Sequence, residues 1–437
     1  MNRRDFIKGS ALAAGAIGIG AQAAEPRVIR AAVVGCGGRG RGAMANMVDA
    51  AKLLREQGVA VEVKPMAFAD YFLDKAKSVA KQFGADEKNA YGGANGYKEI
   101  MKREDVDVVI LATPLNFRPR HTMAAVEAGK HVFAEKGVAV DAPGVRLMIA
   151  ASKLAEQKKL SLGCGTQRRH QRGYLLQAKG LQDGTISPIV GGEVYWNGSV
   201  PWVRERRPGQ SNKDYLCNNW LNFAELSGDH VCEQHVHNID VANWFIGRYP
   251  KSVVAFGARM RRYTGNQYDF FSGDFDYGEG VHIHSMCRQI DGCKSDVREF
   301  FRTANEIIAG GGSVKRLDGT KVELAGDFPA VNPYVQEHVN LLKSILCVGP
   351  YLNEGEACAM STACGVMIRL SAYTGQIVTM NDMIKSENSP FYNLVCKPTP
   401  EDFEQDGDVS MPEFGDNQHP LPGLPWRGLP KPEPKKA

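Results

Sequence analysis

The sequence predicts an α/β domain with a parallel sheet covered on both faces, followed by an α+β domain on an open, mainly antiparallel sheet. Three observations carry this. Between 24 and about 185, short apolar strands alternate with helical stretches. After 186 the strands alternate apolar and polar residues, as a sheet with one face in water does. The 437 residues leave room for two cores.

The chain opens on what reads as an address. Arg3-Arg4-Asp5-Phe6-Ile7-Lys8 is a twin-arginine signature, followed by a mild Ala/Gly-rich apolar stretch and the small-residue site Ala21-Gln22-Ala23. Residues 1–23 are therefore set aside as an export signal of the route that carries folded proteins, and the mature chain is expected outside the cytoplasm, in the periplasm. No other apolar run approaches the ~18 residues of a membrane span. The whole chain carries +4, and the signal holds +2 of it, which gives no reason to expect nucleic acid as a partner. Ten cysteines are scattered without a CxxC pair, and no disulfide is predicted.

The first domain, 24–185, is expected to contain strands at Val28–Gly35, Val61–Ala69, Val106–Thr113, His131–Glu135 and Leu160–Cys164, with helices such as Leu73–Phe83 and Pro119–Ala128 between them. Val33-Val34-Gly35-Cys36-Gly37-Gly38-Arg39-Gly40 follows the first strand and opens a helix that reaches about Glu56. Glycines at 35, 37 and 40 fit a Rossmann dinucleotide loop: a tight turn, close approach to a pyrophosphate, and close packing of helix on strand. Gly38 and Arg39 lie in the same loop, at a helix start whose free N–H groups favour phosphate. The second strand ends in Asp70, placed for ribose hydroxyls. Tyr71 and Phe72 follow it without a cation, which favours NAD; Arg39 and Arg41 leave NADP open. Other strand ends bring Thr113-Pro114, Glu135-Lys136-Gly137 and Gly165-Thr166-Gln167-Arg168-Arg169 to the ligand side of the sheet.

The second domain, 186–396, is expected to have strands at Ile189–Trp196, Ser252–Ala258, Gly280–Cys287 and Val314–Leu324, glycine-rich turns over Ser272–Gly280, one helix over Val231–Phe245, and late helices at Tyr334–Cys347 and Glu354–Tyr373. The late helix can pack back on the first domain. Nine of the 22 prolines fall in 397–437, so a tail is expected that wraps over a neighbour or over the substrate mouth.

Two segments resemble the Gfo/Idh/MocA oxidoreductases. Ala134-Glu135-Lys136-Gly137, after Glu127-Ala128-Gly129-Lys130-His131-Val132, looks like that family's Glu-Lys-Pro segment. Ser227-Gly228-Asp229-His230-Val231-Cys232-Glu233-Gln234-His235-Val236-His237-Asn238-Ile239-Asp240 resembles its second-domain motif, and Tyr373-Thr374-Gly375-Gln376 fits as well. The resemblance covers nearly all of 26–390. It implies Lys136 as the catalytic lysine, His237 as the group that exchanges the hydroxyl proton, and Glu233 in the place of an aspartate one helical turn earlier. It also implies a homo-oligomer, dimer or tetramer, through the open sheet face. The chain departs from the pattern at Gly137 for proline, at Leu115 and Arg118 for Asn and His, and at Glu233 for Asp.

Arg168, Arg169 and Tyr174 are expected either to reach the cleft and hold substrate or to pair with surface acids, and Trp220 to stack on a sugar face. A competing zinc reading uses His230, Cys232, Glu233, His235 and His237. On one regular helix His235 and His237 point about 200° apart, and no metal is expected; His282 and His284 do share a strand face. The function implied is an exported oxidoreductase acting on a sugar or glycoside hydroxyl with tightly bound nicotinamide dinucleotide. The alternatives are a redox-neutral NAD-dependent glycosidase and a non-catalytic sugar sensor.

Overall fold

A computed structural model describes residues 25–412. The twin-arginine segment, and the tail beyond 412, lie outside the described residues. Strands β1 (Arg27–Val34), β2 (Val61–Ala69), β3 (Ala90–Tyr91), β4 (Val108–Leu111), β5 (His131–Ala134) and β6 (Leu162–Cys164) form one parallel sheet in the order β3-β2-β1-β4-β5-β6. Strands β4, β5 and β6 are short and almost wholly buried, and β1 and β2 are buried towards their carboxyl ends, because helices cover both faces. The order reverses between β1 and β4, so their carboxyl ends frame the crevice in which such sheets bind ligands. The helix after β1 runs Gly38–Glu56 and the one after β2 runs Leu73–Gln82.

The second sheet holds β7 (Ile189–Gly198), β8 (Ser252–Ala258), β9 (Phe270–Asp276), β10 (His282–Gln289), β11 (Asp296–Thr303), β12 (Glu306–Ala309), β13 (Val314–Arg316) and β14 (Val378–Thr379), ordered β13-β12-β11-β7-β10-β9-β8-β14. Only β7 and β10 run parallel; the other neighbours are antiparallel. Val254 and Phe256 stand exposed on its outer face.

Several elements differ from the sequence-based expectation. Ser272–Gly280 is partly strand β9, not a run of turns. Gly273 lies inside it because a Cβ there would meet that of Ala255 at 3.0 Å, so the glycine permits close cross-strand packing. Strand β11 was unanticipated because one of its inward positions is Glu299, which breaks the apolar alternation. Strand β12 was missed as well. The expected strand Val314–Leu324 ends at Arg316 and turns through Asp318 and Gly319, with the Arg316 N–H donating to the Thr320 carbonyl at 2.8 Å.

The expected helix Val231–Phe245 is two helices, His230–Glu233 and Val236–Ile246. At the break the His235 N–H donates to the His230 carbonyl five residues back, at 3.2 Å. Both residues there are drawn to β10: His235 Nε2 lies 2.7 Å from Ser285 Oγ, and the Gln289 amide donates to Gln234 Oε1 at 2.8 Å. The long helix Gly355–Thr374 joins the two halves. Its early residues Cys358, Ala359 and Ala363 pack in the first core, and Val366, Met367, Leu370 and Tyr373 pack in the second.

The described part of the tail carries the short helix Pro400–Glu404, which docks on the first domain. Glu404 receives Arg120 at 2.7 and 2.9 Å, Lys98 at 2.6 Å and the Tyr97 hydroxyl at 3.0 Å. Phe403 packs edge-on against Phe117, 5.2 Å between ring centres. Further on, Asp408 accepts the N–H groups of Asn212 and Lys213 at 2.8 and 2.9 Å, and Lys213 Nζ donates to the Gln405 carbonyl at 2.6 Å. The tail thus ties segment 211–218 to the first domain.

Burial pulls the Glu404 carboxyl up, but the hydrogen bonds from Arg120 and Lys98 pull it further down, to about 2 from an ordinary 4.5. A carboxylate depressed in the fold stabilises above its unfolded pKa and loses that contribution as pH falls towards the folded one. We expect Glu404→Gln to lower Tm at pH 7 by about 2 °C. Thermal melts should show the gap between variant and parent closing as pH drops from 4.5 towards 2.

Candidate active site

The strand ends frame a cleft of about 550 Å³. Its floor is Gly35, Gly37, Gly38 and Arg39 after β1, Asp70, Tyr71 and Phe72 after β2, and Thr113 and Pro114 after β4; its roof is Trp202, Arg204, Cys217, Asn218 and Trp220 from the second domain. The glycines divide by role. A Cβ on Gly40 would lie 1.9 Å from the Gly35 carbonyl oxygen, and one on Gly35, whose φ is +96°, would lie 2.5 Å from the Ala112 carbonyl carbon. Those two let helix and strands touch. Cβ atoms on Gly37 and Gly38 would meet nothing within 4 Å: they would stand in the space at the helix N-terminus, where free N–H groups favour a phosphate. The donor set and cradle fit a dinucleotide.

Asp70 ties this floor together. Its carboxylate accepts the Cys36 N–H at 2.8 Å and the Phe72 N–H at 2.9 Å. Burial pushes its pKa up, and the Phe72 N–H and Lys75 oppose that. Lys75 borders the cleft with its ammonium 4.3 Å from the centre of the Phe72 ring. The expectation that no cation follows Asp70 is corrected: Lys75 is in the first turn of the next helix, and folding swings it back over the strand end.

Beyond Glu233 lies the lysine. Lys136 Nζ is 3.0 Å from Glu233 Oε1 and also donates to the Glu233 carbonyl. The Glu135–Gly137 turn that presents Lys136 is held by Arg118, whose buried guanidinium donates to the carbonyls of Thr113 (2.7 Å), Glu135 (3.2 Å), Lys136 and Gly137 (2.6 Å). A Cβ at Gly137 would sit 2.5 Å from the Cys232 carbonyl oxygen and 2.9 Å from Leu115. The space beside the Gly137 Cα is therefore closed to a side chain. Arg39 does not stay free for a phosphate: it pairs with the buried Glu135 and, at 3.1 Å, with Glu337, under the Tyr334 ring.

His237, at the start of Val236–Ile246, is buried and stacks on Trp196 with 5.7 Å between centres and 23° between planes. Burial lowers its pKa well below 6.5, and the cations Lys136, Arg168 and Arg39 lower it further. The imidazole is neutral, as a proton acceptor must be. Arg168 lies 5.7 Å from the Trp196 ring centre and pairs with Glu299.

None of Arg168, Arg169 and Tyr174 lines the cleft. Arg169 makes two hydrogen bonds to buried Asp240, at 2.8 and 2.9 Å, and the Tyr174 hydroxyl donates to Glu299 at 2.9 Å. The reading in which these cations pair with acids is the one observed, and the acids are buried, not on the surface. Trp220 lines the dinucleotide cleft and meets Trp202 edge-on at 6.0 Å. Among the described residues no three His, Cys, Asp or Glu side chains are grouped to hold a metal. His230 is turned to Asp229 and His235 to Ser285, while His282 and His284 engage Asp274 and Ser272 on the outer sheet face. All ten cysteines are free thiols.

The first domain matches the sequence profile of the oxidoreductase family with an NAD-binding Rossmann fold (Gfo/Idh/MocA) over residues 29–165. An inositol 2-dehydrogenase of Rhizobium meliloti is 26% identical over 197 residues, 45% of this chain and 52% of that one. A glycosyl hydrolase family 109 protein of Streptomyces coelicolor is 26% identical over 206 residues, 46% of this chain and 40% of that one. The chain spans about half the length of the curated relatives it matches. The solved aldose–aldose oxidoreductase of Caulobacter crescentus superposes with a TM-score of 0.62 at 19% identity, over 81% of this chain and 100% of that one. The two-domain fold is therefore shared well past the Gfo/Idh/MocA domain.

Two glycine substitutions separate folding from binding. Gly37→Val should leave Tm within about 2 °C, because its side chain meets open space, yet abolish dinucleotide binding measured by calorimetry. Gly137→Pro should lower turnover and Tm together, because its ring meets the Cys232 carbonyl.

Proposed function

We propose that this protein is an exported oxidoreductase that moves a hydride between a sugar or glycoside hydroxyl carbon and a nicotinamide dinucleotide held through many turnovers. The observation that carries it is the contact of Lys136 with Glu233, which borders the dinucleotide cleft, beside a neutral His237 that lies within the field of the same lysine. The bound dinucleotide would supply the hydride acceptor. Gly37 and Gly38 would cradle its pyrophosphate, Asp70 its ribose hydroxyls, and Thr113 and Pro114 would flank it; Asp70 supports NAD, and Lys75 at the border of the cleft supports NADP. Lys136 hydrogen-bonds the reacting hydroxyl and stabilises developing alkoxide, and His237 takes its proton. Trp196 keeps the imidazole ring in place, and Glu233 holds the amine. Arg168 adds to the positive field that keeps His237 neutral.

Export and retention of the dinucleotide belong together. Arg3-Arg4-Asp5-Phe6-Ile7-Lys8 supports a route for folded, loaded protein. The cleft roof supports retention, since the Tyr71 hydroxyl donates to Asp214 at 2.8 Å and the tail fastens 211–218 to the first domain. The exposed Val254 and Phe256 support a homo-oligomer through the outer sheet face. A second reading, the redox-neutral glycosidase, is favoured by the glycosyl hydrolase family 109 relative. There the ketone acidifies its neighbouring C–H, and His237 or Glu233 removes that proton before elimination, hydration and re-reduction.

Protein purified after export, without added nucleotide, should release nicotinamide dinucleotide on denaturation. Its spectrum, taken with a panel of hexoses and glycosides, decides the rest. A lasting reduced-nicotinamide band means a dehydrogenase; release of an aglycone without net reduction means the glycosidase; a protein that binds no dinucleotide overturns the proposal. Truncation before Pro398 should speed nucleotide release by about tenfold, the loss of ~1.4 kcal/mol of roof contacts. The acid limb of the hydride-transfer rate should fall below pH 6.5, because His237 resists protonation, and His237→Ala should abolish that limb.

A further inference from the structure

Arg118 is a buried cation whose hydrogen bonds go to backbone. Its Nε takes the Thr113 carbonyl at the end of β4, and the two hydrogens of Nη1 are shared among three successive carbonyls, Glu135, Lys136 and Gly137, at the end of β5. Three consecutive carbonyls seldom point to one centre, because their dipoles repel; a guanidinium with its planar array of donors compensates for that. Burial pushes the Arg118 pKa down, and Glu135 and Glu233 oppose this from nearby.

The arrangement answers a specific weakness. Gly137 is the residue with the most backbone freedom, and it follows the reactive lysine directly. No ring fixes its φ. The turn is instead held from outside, by Arg118 on its carbonyl side and by the Cys232 carbonyl and Leu115 packed at the Gly137 Cα. On this turn the Lys136 amine reaches both oxygen types of Glu233.

We infer that Arg118 is the positioning residue for Lys136: by gathering the carbonyls of Glu135, Lys136 and Gly137 it sets the turn that aims the amine at the reacting hydroxyl. This rests on the function proposed above. Lysine cannot replace it, since an ammonium offers a compact point charge where a planar fork spans two strand ends.

The test uses the full chain with its dinucleotide. Arg118→Ala should retain bound dinucleotide, keep the sugar KM within about threefold and lose turnover by about a hundredfold, the cost of ångström-scale misplacement. Guanidinium chloride at low millimolar concentration should restore much of that turnover, and should restore none to Lys136→Met. Turnover of Arg118→Ala equal to the parent overturns the inference, as does loss that appears only in KM or in dinucleotide occupancy. Should Arg118→Ala not fold, Arg118→Lys keeps a cation under the carbonyls. It should show the same turnover loss together with a shifted alkaline limb of the pH–rate profile; an unchanged profile overturns the inference. A readout independent of turnover is the rate at which trinitrobenzenesulfonate labels Lys136, followed by peptide mass. That rate should change at least threefold in Arg118→Lys, and an unchanged rate counts against the inference. A parent chain that binds dinucleotide but transfers no hydride would sink the proposed function, while the labelling rate would still decide whether Arg118 sets the lysine.

Discussion

The contact between the Glu135–Gly137 turn and the Cys232–Glu233 backbone is the constraint on which the site depends. It joins the end of a parallel strand in one domain to a short helix in the other, at a distance only glycine tolerates. Because the two segments touch, the Lys136 amine reaches a carboxylate 97 residues away in sequence. The same junction is reinforced from behind by the helix Gly355–Thr374, which has apolar residues in both cores. Relative movement of the domains would therefore separate lysine from carboxylate and disturb two hydrophobic cores at once.

Around that junction the charges are arranged in buried pairs. Arg39 bridges Glu135 and Glu337, Arg168 pairs with Glu299, Arg169 with Asp240, and Arg118 with carbonyl dipoles. A buried charge persists only when it is paired and hydrogen-bonded, so each pairing also fixes its side chain in place. The outcome is a rigid positive surround for His237. Its pKa is lowered by burial first and then by the cations of that surround. The result is a proton acceptor with cations nearby that stabilise an oxyanion.

The strongly periodic parts of the chain were legible from sequence. The strand Val61–Ala69, the strand Ser252–Ala258 and the end of the first helix at Glu56 lie where hydrophobic period and turn residues put them. Strand β11 was illegible because a buried salt bridge replaces an apolar residue at Glu299, and β9 because Gly273 mimics a turn. The broken helix at Gln234–His235 was illegible for a different reason: the pull on both side chains comes from β10, about 50 residues later.

The sequence by itself determined the Rossmann-type first domain, its glycine loop and the acid at the end of the second strand, because local periodicity and backbone freedom dictate all three. It also supplied the lysine, the glutamate and the histidine as residue types at defined places. Only the tertiary structure decided which charges are free to meet a ligand. Along the chain Arg39 reads as a loop cation, and Arg168, Arg169 and Tyr174 read equally as cleft groups or as partners of acids; in the fold each is engaged by a carboxylate from a distant segment. Arg118 looked like a mere departure from a pattern, and folding makes it the centre to which three carbonyls of the lysine's turn converge. Pairing of buried charges is a long-range property of the fold, and no local window of sequence contains it.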